Sequence, residues 1–186
     1  FEMLTVRPDG TDDTPVSAFS TCAGATMPIR WAPDASSIAF RADPAWNGDL
    51  ALYTTWPDTF TELTNVSGPS TPGGAVEEFE WAPDGSRLAY RSDEETDSQY
   101  QVYTVAPDTV WVTTGGVATG PVLVIDKYRI NGTLDSGANV ESFRWSPDSL
   151  FVAYYVEAAD PDIHGLRRAL FNGTWHVKLS EGLDPV

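Results

Sequence analysis

The residue types that build most reactive centres are scarce in this chain of 186 residues: it has one cysteine, Cys22, and two histidines, His164 and His176. A single cysteine excludes an intrachain disulfide, and with no basic neighbour to activate its thiol we expect Cys22 to be a small buried hydrophobic residue. Three such residues spread over the chain do not have the spacing of a zinc site. The sequence also lacks a Gly-x-Ser-x-Gly elbow, so it predicts no nucleophilic hydrolysis within this segment.

Basic residues and long apolar runs are scarce as well. Asp and Glu number 27 against 11 Lys and Arg, which gives a net charge of −16. Such a surface repels phosphate backbones, and no basic stripe compensates, so we expect no nucleic-acid partner. No apolar run approaches the roughly 18 residues of a membrane span, so we expect no membrane insertion. Extracellular proteins are often this acidic, and we predict an extracellular, periplasmic or cell-envelope location.

What the chain does contain is one short phrase written three times, each copy followed by an apolar run that ends in an aromatic residue. A motif that recurs along the chain in this way is typical of propellers and other repeat arrays. The copies are Trp31-Ala32-Pro33-Asp34, Trp81-Ala82-Pro83-Asp84-Gly85 and Trp145-Ser146-Pro147-Asp148, and the runs are Ile38-Ala39-Phe40, Leu88-Ala89-Tyr90 and Val152-Ala153-Tyr154.

Each copy predicts a strand, a tight turn and a second strand, because proline presets φ at the second turn position and aspartate bonds nearby backbone donors. Gly85 ends one turn where Ala35 and Ser149 end the others, so we expect turns that do not depend on positive φ. In the second copy, third and fourth strands follow at Tyr100–Val105 and Val110–Thr113, with a turn at Ala106-Pro107-Asp108 between them. Four short antiparallel strands form a propeller blade, which predicts an all-β fold.

The phrase, the β run, the acidic loop and the Tyr-bearing strand together resemble the TolB-type (WD-like) β-propeller repeat. Residues 77–115 match that pattern best, and the resemblance covers roughly two thirds of the chain. It implies a propeller of four-stranded antiparallel blades. Similar propellers occur in TolB, ahead of the catalytic domain in prolyl-oligopeptidase-type peptidases, in tricorn-like proteases and in bacterial surface proteins.

The repeats divide the chain into about three and a half blades within one propeller segment. Residues 1–26 form the second half of a blade, 27–76 a blade, 77–139 a blade with an inserted hairpin, and 140–186 a further blade. Propellers typically have roughly four to eight blades. We therefore expect either a piece of a larger propeller, or copies that complete one another's open edges, or an irregular closed ring.

The repeated residues are predicted to be structural, because a catalytic group is needed once and these recur in every blade. We expect the tryptophans to pack between blades and the aspartates to hold the turns; the set is Trp31, Pro33, Asp34, Trp81, Pro83, Asp84, Gly85, Trp145, Pro147 and Asp148. No catalytic, cofactor or metal residue is predicted, with Ca²⁺ at the acidic loops as the alternative. Those loops carry Asp9, Asp12 and Asp13; Asp93, Glu94, Glu95 and Asp97; and Asp160 and Asp162. Three sequons are candidate glycosylation sites: Asn65, Asn131 and Asn172.

From the sequence we therefore expect a non-catalytic propeller scaffold that binds a protein partner or neighbouring subunits through its loops. One alternative is the substrate-gating propeller of a prolyl-oligopeptidase-like serine peptidase whose catalytic domain lies outside this chain. A second alternative is a structural subunit of a surface assembly.

Overall fold

The structure, a computed structural model, describes residues 4–5, 14–15, 26–43, 47–55, 64–67, 74–114 and 117–180. Its ordered elements over these ranges are β-strands. Within the same ranges, no helix has the length and apolarity needed to cross a membrane. The prediction for Cys22 falls outside the described residues.

The strands form three four-stranded antiparallel sheets and one two-stranded pair, and in each sheet chain neighbours are also sheet neighbours. This confirms the predicted all-β propeller with four-stranded blades. The pair is β1 (Leu4–Thr5) with β2 (Thr14–Pro15). Sheet 1 contains β3 (Thr26–Trp31), β4 (Ile38–Ala42), β5 (Ala51–Thr55) and β6 (Thr64–Asn65). Sheet 2 contains β7 (Val76–Trp81), β8 (Leu88–Ser92), β9 (Gln101–Thr114) and β10 (Val117–Arg129). Sheet 3 contains β11 (Asn139–Trp145), β12 (Phe151–Glu157), β13 (Gly165–Leu170) and β14 (Val177–Lys178).

The outer hairpin of sheet 2 differs from the sequence prediction. β9 continues through Ala106-Pro107-Asp108, which was expected to be a turn, and Pro107 lies opposite Ile125 of β10. β8 pairs with β9 only as far as Val105. Beyond that residue β9 has a single neighbour, so a proline can be placed there without interrupting a ladder on the other side. The predicted third and fourth strands of this blade are therefore one strand, and β10 is the fourth.

The three motif turns share one conformation. Asp34 Oδ1 accepts hydrogen bonds from the Ser36 amide at 3.0 Å and its hydroxyl at 2.6 Å. These bonds stabilise the charged carboxylate and lower the pKa of Asp34. The residue after each motif aspartate has positive φ: 59° at Ala35, 76° at Gly85 and 61° at Ser149. The expectation that these turns do not depend on positive φ is wrong, because the residue after the motif aspartate adopts the left-handed conformation in all three turns, whichever side chain it carries.

The cores lie between adjacent sheets, and the motif tryptophans connect them. Trp81 Nε1 donates to the carbonyl oxygen of Arg30, and Trp145 Nε1 donates to that of Glu80, both at 3.3 Å. Trp81 and Trp145 thus each bond the residue that precedes the motif tryptophan of the preceding sheet. The sheets are stacked in one register, and equivalent positions in successive sheets line equivalent clefts.

Candidate functional site

A cavity of about 220 Å³ lies in the cleft between sheet 2 and sheet 3. The loop between β10 and β11 forms one wall, β12 and β13 form another, and the segment before β14 completes it. Its apolar lining is Leu134, Val156 and Ile163, and its side-chain polar lining is Asn131, Thr133, Tyr154, Arg167 and His176. A mostly apolar concavity with a few convergent polar groups is the usual form of a small-molecule site.

Arg167 is the one permanently charged residue in the lining of this cavity. Its Nε donates to the Ile163 carbonyl oxygen at 3.0 Å, and its Nη2 donates to the Asp162 carbonyl oxygen. Both acceptors are neutral, and among the residues described the guanidinium has no carboxylate partner. No Asp or Glu lines the cavity either. In a chain of net charge −16, this cleft is a local positive centre.

Tyr154 and His176 form a pair capable of moving a proton. Tyr154 Oη lies 3.2 Å from His176 Nδ1. Burial raises the pKa of Tyr154, against the opposing effect of the Arg167 charge, so the phenol is neutral at physiological pH. When the imidazole proton is on Nδ1, it donates to the phenol oxygen, and Nε2 keeps its lone pair. In that tautomer His176 can accept a proton from a bound molecule.

Asn131 fixes the loop that forms the wall facing β12. Its Oδ1 accepts a hydrogen bond from the Val102 amide at 2.8 Å, and its Nδ2 donates to the Gly132 carbonyl oxygen at 3.0 Å. The residue is 2% exposed. An amide that is buried and bonded in this way is not accessible for attachment of a glycan, which argues against the sequon at Asn131.

A second polar cluster occupies the cleft between sheet 1 and sheet 2. The Glu94 side chain is 5% exposed and forms an ion pair with Lys127. The Tyr90 hydroxyl lies 3.2 Å from Glu94 Oε2, and the ring of Tyr90 stacks on that of Tyr103 at a centroid distance of 5.3 Å. Burial raises the pKa of Glu94, although Lys127 acts in the opposite direction. Here a carboxylate and its counter-ion fill the cleft from within the chain.

The repeated motif residues and the acidic loop singled out from the sequence lie outside the cavity, whereas Asn131 lines it. The motif residues form the turns and the contacts between sheets described above. In the predicted acidic loop, Asp93 accepts hydrogen bonds from the Ala75 and Ser98 amides, and Glu95 pairs with Arg129. Among the described residues, no three His, Cys, Asp or Glu side chains are grouped to hold a metal ion. Asp9, Asp12 and Asp13 fall outside them, and the predictions of no cofactor and of Ca²⁺ stay predictions.

Of the other two sequons, Asn172 lies in the turn after β13 and Asn65 ends β6. Asn172 Oδ1 accepts hydrogen bonds from the Thr174 amide at 3.2 Å and from its hydroxyl at 2.7 Å. Asn65 Oδ1 accepts one from the Ser67 hydroxyl at 3.1 Å. Neither residue lines the cavity. Glycosylation at Asn65 and Asn172 stays a prediction.

Sequence reasoning did not identify the cavity residues. Arg167 and Tyr154 belong to strands whose composition is unremarkable, and His176 lies one residue before β14. The repeat itself carries a usable signal, because Tyr154 takes the place of Tyr90 and Phe40 at the end of the apolar run. Only the strand pairing shows that Arg167 and His176 lie beside it.

The fold and its clefts define this chain as a segment of a β-propeller. No protein-family model matches it, and a search of curated proteins finds no match. One solved structure that it resembles is an oligogalacturonate lyase in complex with manganese. The two share 14% sequence identity and a TM-score of 0.55 over 93% of this chain and 40% of the lyase. This chain thus spans less than half the length of that protein.

A second similar structure is the oligogalacturonate lyase of Vibrio parahaemolyticus, with 13% identity, a TM-score of 0.47, and coverage of 77% of this chain and 34% of the lyase. That TM-score is too low to support a shared fold. The likeness to the first lyase supports the propeller fold predicted from the repeats. Membership of the TolB-type family stays a prediction.

The expectation of a non-catalytic scaffold requires correction. A solved structure that shares the fold over most of the chain is that of an enzyme, an oligogalacturonate lyase. The physical reason for the error is that the repeated residues dominate the sequence signal and are structural. The polar residues of the cavity are separated along the chain and converge only through strand pairing.

Proposed function

We propose that this chain is a segment of a β-propeller enzyme that acts on an acidic carbohydrate, and that the cavity between sheets 2 and 3 binds the uronate carboxylate. The observation that supports this proposal is Arg167, the permanently charged residue in the lining of a cavity whose described lining has no carboxylate. A planar guanidinium is the side chain best suited to a carboxylate. The fold likeness to an oligogalacturonate lyase is the second support.

The arrangement suits the chemistry of a uronate lyase. Such an enzyme removes the proton next to the carboxylate, and the electron pair forms a carbon–carbon double bond as the neighbouring oxygen leaves with a proton. Negative charge develops towards the carboxylate during proton removal, so a positive group beside it stabilises the transition state. Arg167 supplies that charge, and His176 and Tyr154 are the groups able to move a proton.

The manganese of the neighbouring lyase is not matched by the described part of this chain. The cavity offers one histidine and no carboxylate, and no metal-holding group of three is present among the residues described. These residues do not fit the metal, so no step is assigned to it. This proposal is opposed to the sequence prediction that the segment has no catalytic constellation of its own, which is untested; the protein partner and the envelope location stay predictions.

The test is a titration of the protein with trigalacturonate by isothermal calorimetry, with galactotriose as the neutral control. We expect binding of the acidic trimer only, and a loss of roughly 10- to 100-fold in affinity for Arg167→Ala, the usual effect of removing a hydrogen bond to a charged group. Equal binding of both trimers would overturn the proposal.

Arg168→Ala is the matched control for this titration. It removes the same charge from the neighbouring position of β13, but its guanidinium lies over the Phe151 and Trp175 rings, at 5.1 and 5.3 Å from their centroids, and not in the cavity. An equal loss of affinity for Arg167→Ala and Arg168→Ala would show that only the overall charge matters and would contradict the assignment of Arg167.

A further inference from the structure

The strand register makes the two polar clefts equivalent. Tyr90 of β8 lies opposite Tyr103 of β9, which in turn lies opposite Arg129 of β10. In sheet 3 the corresponding series is Tyr154, Arg167 and Lys178. Lys127 and His176 each lie two residues before the last member of their series. The cavity residues Tyr154, Arg167 and His176 are therefore the repeat equivalents of Tyr90, Tyr103 and Lys127.

The residues on the opposite walls of the two clefts are equivalent in the same way. Ser67 Oγ accepts a hydrogen bond from the Leu52 amide at 3.1 Å, and Asn131 Oδ1 accepts one from the Val102 amide at 2.8 Å. Leu52 and Val102 occupy matching places on β5 and β9, since they pair with Arg41 and Arg91. Ser67 and Asn131 thus hold the same position beside successive clefts.

In the cleft between sheets 1 and 2, a carboxylate lies between the two walls. Glu94 follows Tyr90 by four residues, and its carboxylate pairs with Lys127 and accepts from the Tyr90 hydroxyl. The Lys127 ammonium also donates to the Ser67 carbonyl oxygen at 2.7 Å, which joins the two walls. A carboxylate is therefore the group that fills this cleft.

In the cleft between sheets 2 and 3 neither member of the Glu94–Lys127 pair is kept, and a positive charge comes instead from the position of Tyr103. Four residues after Tyr154 the chain has Ala158 where the preceding blade has Glu94. The charge is supplied by Arg167, with His176 in the place of Lys127, and the described lining includes no Asp or Glu. The space is a cavity of about 220 Å³.

From this equivalence we propose that the cavity is a monocarboxylate site in which the ligand's carboxylate takes the place that the Glu94 carboxylate takes in the preceding cleft. The ligand class is a sugar acid or similar small carboxylate that presents one carboxylate between Arg167, His176 and Tyr154. The inference rests on the proposed function for the sugar part of the ligand, and on the repeat together with Arg167 for its carboxylate. The cleft between sheets 1 and 2, filled by Glu94, is the reference, and the cleft between sheets 2 and 3, with Ala158 at the equivalent position, is the proposed binding site.

The test compares D-galacturonate with its methyl ester, a sugar of the same shape without the charge, by NMR titration of the protein. We expect the acid alone to shift the Gly132 and Thr133 amide signals and the Arg167 side-chain signal. Ala158→Glu should weaken acid binding at least tenfold, because it supplies a carboxylate from within, as Glu94 does. Ala158→Gln, of equal size and no charge, should weaken it less.

Two results would overturn this proposal: an Ala158→Glu variant that binds D-galacturonate as the parent does, or an Ala158→Gln variant that is equally impaired. Thermal unfolding of both variants checks that they fold, and Arg167→Gln provides an independent route to the same loss of binding. If D-galacturonate binds as expected and trigalacturonate does not, this site stands and the proposed function fails. If trigalacturonate binds regardless of position 158, the proposed function stands and this site fails.

Discussion

The ion pair of Glu94 and Lys127 gives the sharpest stability prediction. Glu94 is nearly fully buried, and Lys127 is its ion-pair partner. In a Lys127→Met variant the carboxylate either remains charged without a partner or takes up a proton. Removing one member of a buried pair typically costs about 3–5 kcal/mol. Protonation limits this cost, since holding a carboxyl of ordinary pKa 4.5 neutral at pH 7 requires about 3 kcal/mol at 1.36 kcal/mol per pH unit.

The pH dependence follows from the direction of the pKa shift. Burial raises the pKa of Glu94 above its ordinary value, so the folded protein binds more protons than the unfolded chain between the two pKa values. The contribution of this residue to stability therefore falls as the pH rises from 4.5 through the folded-state pKa. Loss of Lys127 raises that pKa further. We expect Lys127→Met to destabilise the protein by about 3 kcal/mol at pH 7 and by about 1 kcal/mol at pH 5.

The assay is thermal unfolding at the two pH values. A loss of 3 kcal/mol corresponds to a Tm lower by about 6–12 °C for a chain of this size. Glu94→Gln in the Lys127→Met background should restore most of the loss at pH 7, because it removes the unpaired charge. Arg129→Met is the matched control: its pair with Glu95 is largely exposed, and we expect a cost below about 1 kcal/mol. A Lys127→Met loss that is equal at pH 5 and pH 7 would refute the reasoning.

Two further predictions concern the motif turns and the tryptophans. Ala35→Gly should raise stability by roughly 0.5–1 kcal/mol in chemical denaturation, because Ala35 has φ of 59° and glycine adopts that region without strain. Ser149→Gly should gain less, since its hydroxyl accepts a hydrogen bond from the Asp84 amide at 3.1 Å, and an equal gain at both sites would contradict this account. Trp145→Phe should cost about 1 kcal/mol or more through its lost bond to sheet 2, whereas Trp31→Phe, at a residue 51% exposed, should cost less than about 0.5 kcal/mol. Equal costs for the two tryptophans would show that the bond between sheets contributes nothing.

The fold was predictable from the sequence to the extent that it depends on local patterns. Trp81, Pro83 and Asp84 mark a strand end and a turn, and these are decided by side-chain alternation and short-range hydrogen bonds. The outer hairpin of sheet 2 was not predictable. Proline has no amide hydrogen, so Pro107 would end its strand only if a second neighbouring strand required a hydrogen bond from that position. Whether β8 reaches that far is a property of the paired sheet.

The sequence by itself determined the repeated blade and the positions of the motif residues, because those features depend on contacts within a few residues of each other. The tertiary structure alone decided where the cavity lies. Tyr154, Arg167 and His176 are brought together by the pairing of β12 with β13 and of β13 with β14, and Asn131 faces them only because sheet 2 stacks on sheet 3. The cleft filled by Glu94 and the cleft with Ala158 differ at several equivalent positions, and those positions can be compared only once the strand register aligns the two blades.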